Sequence, residues 1–516
     1  MFKKTRFIVG PIALVTVLYA INRLFVKERI ENTMMSAWPI FTMYTNPPFH
    51  KGESIKYGER RQTTDDLPST QYRFSSSSPK TSTQQVTITK LQSPQQKLFT
   101  QSLIKSQKQV TATELEFNSF KTRNINCAKL VKGDELEIKE ARKQPRIIPS
   151  YKTLINHTEN CDLFKQVYGY NKILNTEEEK QFPVAFNILL YKDVAQVEIL
   201  LRAIYRPQNY YCLHVDGFSP DHVHKAAKSL ADCFDNVFIV SQTENIVYES
   251  FQRLQADLNC MADHLAKPDW KYLINLPSQE LPIKTNLQIV RILTLLNNTN
   301  QVECQRGSGM VLKRFIYKHE YIYRQNRRYK IVRTHRKYEQ PPHHFVVAKG
   351  SAYGLFTQEF VKYVLTSQIA KDVLDWCRGI LSPDEYYWAM LNFNHHVPVP
   401  GSGQEACLHV TPISTYVSWA ITKKSTECQG RWLRHICVFD GGDLKKLVNR
   451  KELFANKFEL KYSYPAIQCL LEWLHNQTLS PQSVDVQFYK GLYLKKIIYK
   501  LDPWTGVKPM KYNETI

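Results

Sequence analysis

Two groups of residues in this 516-residue chain have types and spacings suited to chemistry, and one absence bears on both. The first is Ser382-Pro383-Asp384-Glu385-Tyr386-Tyr387-Trp388. Ser382 can cap a helix, Pro383 suits the first helical position and Glu385 the third, which is the pattern of a capping box. Glu385 therefore reads either as a capping carboxylate or as a general base among aromatic side chains. The second group is Arg434-His435-Ile436-Cys437, then Asp440-Gly441-Gly442-Asp443, then Phe454-Ala455-Asn456-Lys457-Phe458. Arg434 is expected to open a short strand and Lys457 to lie in a loop or short helix. A guanidinium fork and an ammonium group can together hold a diphosphate; two solvated surface charges are the plainer reading. The third feature is an absence. Asp-x-Asp, the usual metal-binding signature of α/β enzymes that act on nucleotide sugars, does not occur, and Asp440 and Asp443 are spaced too widely. The pair Glu135 and Glu137 precedes the first sheet strand. If such an enzyme is encoded here, fixed cations must replace the metal.

The elements that would position these groups begin near Val184. Phe186–Tyr191, Tyr210–Val215, Val237–Val240 and Tyr272–Leu276 are short apolar runs that read as strands. Between and after them, Val194–Tyr205, His222–Cys233, Phe251–Ala266 and Asn286–Leu296 have helical period. Strands alternating with helices predict a mostly parallel α/β sheet. Ligands bind such sheets beyond the carboxyl ends of the strands, which points to Asp216 and to the Ser278–Lys284 loop. Lys313–Lys337 is rich in Lys and Arg with interleaved tyrosines. A solvated loop or edge hairpin is the preferred reading of it over a nucleic-acid surface.

Composition bounds the class. The chain is 43% hydrophobic and 22% charged, which excludes wholesale disorder and fibrous types. A formal charge of +22 suits a polyanionic or phosphate-bearing partner. Lys3, Lys4 and Arg6 precede an uncharged run, Phe7–Ile21, that Leu24–Val26 extends past Arg23. Such a run can span a membrane with the N-terminus cytosolic, or serve as a cleaved signal peptide. The anchor is the preferred reading. Residues 27–120 look unlike the rest, and within them Ser69–Gln109 is rich in Ser, Thr, Gln and Lys without sustained period, as expected of an unstructured stem. Asn156, Asn297, Asn476 and Asn513 are N-glycosylation sequons. The eleven Cys include no CxxC zinc spacing, so disulfides are the expectation once export is granted.

Residues from about Cys127 to Cys469 resemble the core-2/I-branching β-1,6-N-acetylglucosaminyltransferases, animal Golgi enzymes that branch O-glycans. The carrying segments are LLRAIYRPQNYYCLHVD (Leu200–Asp216), QADLNCM (Gln255–Met261), WKYLINLPSQELPIKTNLQIVR (Trp270–Arg291), GSAYG (Gly350–Gly354), SPDEYYWA (Ser382–Ala389), FDGGDL (Phe439–Leu444), LFANKF (Leu453–Phe458) and AIQCL (Ala466–Leu470). The resemblance implies a GT-A type nucleotide-sugar transferase fold, inverting and metal-independent. It gives the catalytic base to Glu385, the UDP diphosphate to Arg434 and Lys457, and a place in the nucleotide site to Asp216. It aligns acceptor residues with Glu303 and Trp419. It pairs Cys127 with Cys469, Cys161 with Cys233, Cys212 with Cys260 and Cys428 with Cys437, leaving Cys304, Cys377 and Cys407 unassigned. The family's free Cys is Ser278 here. Its acceptor Lys falls in Ser308–Val311 without a clear counterpart, its acceptor Tyr is Ile421, and Lys313–Lys337 follows the family poorly.

The expectation is thus a type II Golgi membrane protein: tail 1–6, anchor 7–26, lumenal stem 27–120 and catalytic domain 121–516. The expected reaction moves a sugar, GlcNAc first, from a UDP-sugar to the 6-OH of GalNAc or Gal in O-glycans, with no divalent metal. Another donor such as glucose or xylose, or a catalytically silent glycan-binding relative, are the alternatives. UDP-sugar and a glycoprotein acceptor are the expected partners, and nucleic acid is not.

Overall fold

Val184–Leu190 (β1) is buried at every position. A strand so apolar needs cover on both faces, the condition of a parallel sheet interior. In the computed structural model β1 lies between Tyr210–Val215 (β2) and Tyr272–Pro277 (β4), parallel to both. The structure describes residues 125–144, 148–305, 311–324, 328–402, 407, 412–420, 428–492, 500–502 and 506–508. Val237–Ile239 (β3) adds in parallel beside β2, and Gly354–Thr357 (β9) adds antiparallel beside β4. Gln301–Val302 (β6) completes the six-stranded order β3-β2-β1-β4-β9-β6. The expected mixed α/β architecture with a mainly parallel sheet is therefore present.

Val194–Ile204 (α1), Asp221–Ala231 (α2), Phe251–Leu265 (α3) and Asn286–Leu295 (α4) connect the strands, within two residues of the boundaries read from periodicity. Two apolar cores flank the sheet. One contains Phe186, Ile274 and Ile289; the other contains Trp270, Phe356 and Trp388. A smaller sheet joins Glu280–Pro282 (β5), Thr415–Val417 (β10) and Phe454–Asn456 (β13) in the order β10-β13-β5. It sets the Ser278–Lys284 loop beside the Lys457 segment.

The Lys313–Lys337 segment is a hairpin of Tyr317–Arg324 (β7) and Arg328–Lys337 (β8), which among the described residues pair only with each other. Five disulfides close the described structure: Cys127–Cys469, Cys161–Cys233, Cys212–Cys260, Cys304–Cys407 and Cys428–Cys437. The fourth joins two cysteines that the family resemblance leaves unassigned. Cys377 is a buried free thiol, pushed up by burial. Asn156, Asn297 and Asn476 are exposed, while Asn513 lies outside the described residues. Among the described residues no helix is long and apolar enough to cross a membrane. The expected tail, anchor and stem, residues 1–120, lie outside them.

Candidate active site

Glu385 ends a single 3₁₀ turn, Pro383–Glu385, whose flanks are fixed by buried aromatics. Tyr386, Tyr387 and Trp388 are fully buried and lead into the helix Tyr387–Phe393 (α5). The capping box read from Ser382 is not formed. Ser382 is left-handed, φ 53°, and makes no side-chain cap bond. A cap residue needs extended backbone, so the left-handed turn aims the hydroxyl away from the free N–H groups. Glu385 is thus available for another use. Asp384, beneath it, is buried and pushed up to about 6 by burial, with Arg253 opposing. Arg253 pairs with Asp257 at 2.5 Å, and the facing strand residues Asn187 and Asn275 both donate to Asp257. A buried polar network therefore ties the Glu385 turn to α3, β1 and β4.

The Glu385 carboxylate is half open to solvent and meets two cations. Its Oε2 lies 2.6 Å from Arg314 Nη1 and 3.0 Å from Lys349 Nζ. Gly350 N–H donates to the Glu385 carbonyl at 2.6 Å. A Cβ on Gly350 would stand 2.2 Å from the Glu303 carbonyl oxygen, so only glycine lets these backbones approach. This contact brings Glu303 to the same corner. Its carboxyl accepts from Gln305 Nε2 at 2.5 Å and is raised by burial, with Lys349 opposing.

Arg434 does not open a strand. Arg431–Leu433 (β11) and Ile436–Val438 (β12) pair antiparallel, and Arg434-His435 is the two-residue turn between them. Both turn residues have positive φ, 50° and 66°, as the hairpin's twist requires. The Cys428–Cys437 disulfide braces the hairpin. Lys457 follows β13, and its carbonyl accepts from Phe439 N–H at 2.9 Å, which sets it beside β12. The Lys457 ammonium is held below its ordinary value by burial, and Lys192, Arg434 and Arg431 add to the depression against Glu459. Glu459 is shared: it pairs with Arg431 at 2.5 Å and lies 3.8 Å from Lys457. Lys192 has Asp193 at 3.6 Å. Four cations with two carboxylates leave room for an anion.

Tyr248 links the two centres. The Arg434 guanidinium lies 5.3 Å from its ring centroid. Tyr248 is 71% exposed, and its phenol also feels the charges of Glu249, Glu385 and Arg314. Glu249 in turn pairs with Arg314 at 3.4 Å. Trp419 is 52% exposed and bridges to Ile436, and Ala420 N–H donates to the His435 carbonyl at 2.9 Å. It stands with the Arg434 turn; no hydrogen bond or ion pair among the described residues joins it to Glu303. Asp216 follows β2, and its Oδ1 accepts from Phe218 N–H at 3.0 Å and Ile246 N–H at 3.1 Å. Ile421 and the Ser308–Met310 part of the acceptor-lysine segment lie outside the described residues.

Sequence reasoning missed Arg314, Lys349, Tyr248 and Lys192. Arg314 and Lys349 carried signals, since one opens the basic segment and the other precedes GSAYG. Tyr248 and Lys192 carried none beyond their residue type. A grouping of Cys428, Cys437 and Asp443 has metal-ligand spacing, but its sulfurs form a disulfide and its carboxylate accepts three backbone N–H bonds. That donor set does not fit a cation. The arrangement instead offers a carboxylate able to take a proton and a separate group of crowded cations able to hold an anion.

The Core-2/I-branching enzyme family profile matches residues 184–448. The chain is 36% identical over 375 residues to a human β-1,3-galactosyl-O-glycosyl-glycoprotein β-1,6-N-acetylglucosaminyltransferase, covering 69% of this chain and 86% of that one. It is 34% identical over 377 residues to a second human enzyme of that name, number 3, covering 69% and 84%. A bovine herpesvirus 4 protein of the same name is 32% identical over 387 residues, covering 71% and 86%. By matched length and identity, the chain belongs to the Core-2/I-branching enzyme family and is a glycosyltransferase.

Proposed function

We propose that the chain is an inverting β-1,6-N-acetylglucosaminyltransferase with a GT-A fold that branches O-glycans without a divalent metal. The acceptor is the 6-OH of a GalNAc or Gal residue, and the donor is UDP-GlcNAc. Glu385 takes the proton of that hydroxyl as its oxygen bonds to the anomeric carbon. The bond from that carbon to the diphosphate oxygen breaks on the opposite face, and UDP leaves with the electron pair. Arg434 and Lys457 stabilise the charge that grows on the diphosphate, where fixed cations aimed at the leaving group are most effective. Asp216 contributes to the nucleotide site, and Glu303 and Trp419 to the acceptor site.

The observation that carries this reading is the separation of two charged centres. The Glu385 carboxylate is held by Arg314 and Lys349, while Lys457 is crowded by Lys192, Arg434 and Arg431. The relatives' names support the donor and the linkage. Residues 7–26 are proposed to anchor the protein in the Golgi membrane, with the stem 27–120 and catalytic domain 121–516 lumenal.

The test is sugar transfer by the full-length chain to Galβ1-3GalNAc, with a panel of UDP-sugars, in EDTA and in Mn²⁺. Transfer of GlcNAc undiminished by EDTA is the expected result. Transfer only with Mn²⁺ would overturn the role of the fixed cations, and transfer of another sugar would overturn the donor.

A further inference from the structure

The proposed reaction leaves the β7–β8 hairpin without a task. Lys313–Lys337 contains ten Lys and Arg residues and one carboxylate, Glu320. Its root is firmly set. Phe315 and His319 are buried, His319 N–H donates to the Gly379 carbonyl at 2.8 Å, and Leu381 N–H donates to the Arg314 carbonyl at 2.9 Å. Arg314 is one of the two cations that touch Glu385, so the hairpin springs from beside the site. Its upper part is laid over the Asp216 loop. Tyr321 and Tyr329 stack at 4.9 Å, and Tyr329 meets Phe218 at 5.9 Å. Strand alternation places His319, Tyr321 and Tyr329 on one face.

The charge on the arm is unbalanced. Glu320 pairs with Arg336 and lies 3.8 Å from Lys318. Among the described residues Lys330, Arg333 and Lys337 have no carboxylate partner, and all three are exposed. Strand alternation puts Arg333 on the face of Tyr321 and Tyr329 and Lys330 on the other, so both faces of the arm carry charge without a carboxylate partner.

We infer that the β7–β8 arm is a docking surface for an acidic polypeptide that carries the acceptor glycan. Charge complementarity names the partner. The arm begins at Arg314, which pairs with Glu385, so a chain attached to a glycan held at Glu385 would meet it close to its root. The inference rests on the transferase reading of the Glu385 site.

The test uses the full-length chain and Galβ1-3GalNAc in three forms: a free glycoside, on a neutral Ser/Gly peptide, and on a peptide with clustered Asp and Glu. Lys330→Glu/Arg333→Glu/Lys337→Glu is compared with wild type, and the corresponding triple Gln variant guards against misfolding. The expected result is a lower wild-type KM for the acidic peptide, eroded by added NaCl. The charge-reversed variant should raise that KM by about 3- to 100-fold, the scale of three exposed ion pairs, and leave the other two acceptors unchanged. Equal wild-type KM values for acidic and neutral peptides would overturn the inference. So would an equal change for both in the Gln variant. Fluorescence anisotropy of the labelled acidic peptide without sugar reads the arm independently of turnover. Peptide binding that the variant loses, with no sugar transferred to any form, would sustain the arm and sink the proposed reaction. Tighter binding to anionic phosphatidylserine vesicles or an oligonucleotide than to the peptide would overturn the choice of partner.

Discussion

Replacing Glu385 with Gln removes the proton-accepting carboxylate while keeping the length and shape of the side chain. Because Ser382 forms no cap here, the substitution does not disturb a helix terminus. A general base contributes about 10²–10⁴-fold, or about 3–5 kcal/mol of barrier. The substitution also leaves Arg314 and Lys349, at 2.6 and 3.0 Å, without their shared carboxylate. Glu385 is 28% exposed, so two partly screened ion pairs lower stability by only about 1–2 kcal/mol. Initial rates of transfer and urea unfolding measure the two effects separately. The expected outcome is turnover down at least a hundredfold, near-native stability, and UDP affinity within threefold of wild type. Glu385→Asp refines the test. It keeps a negative charge near both cations but withdraws the carboxylate by about 1.5 Å, beyond the 2.6–3.2 Å reach that proton abstraction requires. It should therefore be nearly as slow as Gln while more stable. Full turnover by Asp with none by Gln would mean that the carboxylate acts through its field alone. Full turnover by Gln would refute the base outright.

Arg434→Ala and Lys457→Ala should each weaken UDP binding by about 10- to 100-fold, the value of a charge-assisted hydrogen bond, as titration calorimetry would read. Unchanged affinity in both would remove the diphosphate from that cradle. Cys304→Ala with Cys407→Ala opens a loop with a sequence separation of 103 and should cost about 2–5 kcal/mol in urea unfolding; a loss below 0.5 kcal/mol would mean the bridge is not formed. Asp384 is pushed up to about 6, so across pH 4–6 the unfolded chain releases a proton that the folded chain retains. Stability should fall as pH rises through that window, by at most about 3 kcal/mol from this group, and Asp384→Asn should flatten the slope. An identical slope in the variant would place the proton elsewhere.

The sheet was legible because its signal is local. Val184–Leu190 and Tyr272–Pro277 are near-continuous apolar runs, and their burial follows from that alone. Glu385, Arg434 and Lys457 were legible as residue types, but their settings were not. Ser382 sits where a capping box would place it, yet tertiary contacts drive it left-handed: its N–H donates to the Glu249 carbonyl at 2.9 Å. Arg434 looks like a strand residue, but the register Leu433↔Ile436 makes it a turn. The Cys304–Cys407 bridge depends on β6 and a segment some hundred residues later meeting in space, which spacing does not encode. Lys349 reaches Glu385 through the close approach at Gly350, a fact of three-dimensional packing.

The bridge between Cys127 and Cys469 has a consequence for how this protein is made. It ties the first described helix, Cys127–Lys132, to the long helix Leu460–Leu479 (α6), across 342 positions. At about 5–20 residues per second, a ribosome needs roughly 20–70 s to deliver the second cysteine after the first. Cys161 and Cys233, separated by 72, and Cys212 and Cys260, separated by 48, can meet several times sooner. Throughout that interval Cys127 is an available thiol among neighbours already seeking partners. Oxidation during synthesis thus has a natural order, with the inner bridges first and the outer one as the closing act. A nascent chain that oxidises faster than it elongates can trap Cys127 with Cys161, so the yield of correctly paired protein depends on the pace of translation and on disulfide exchange.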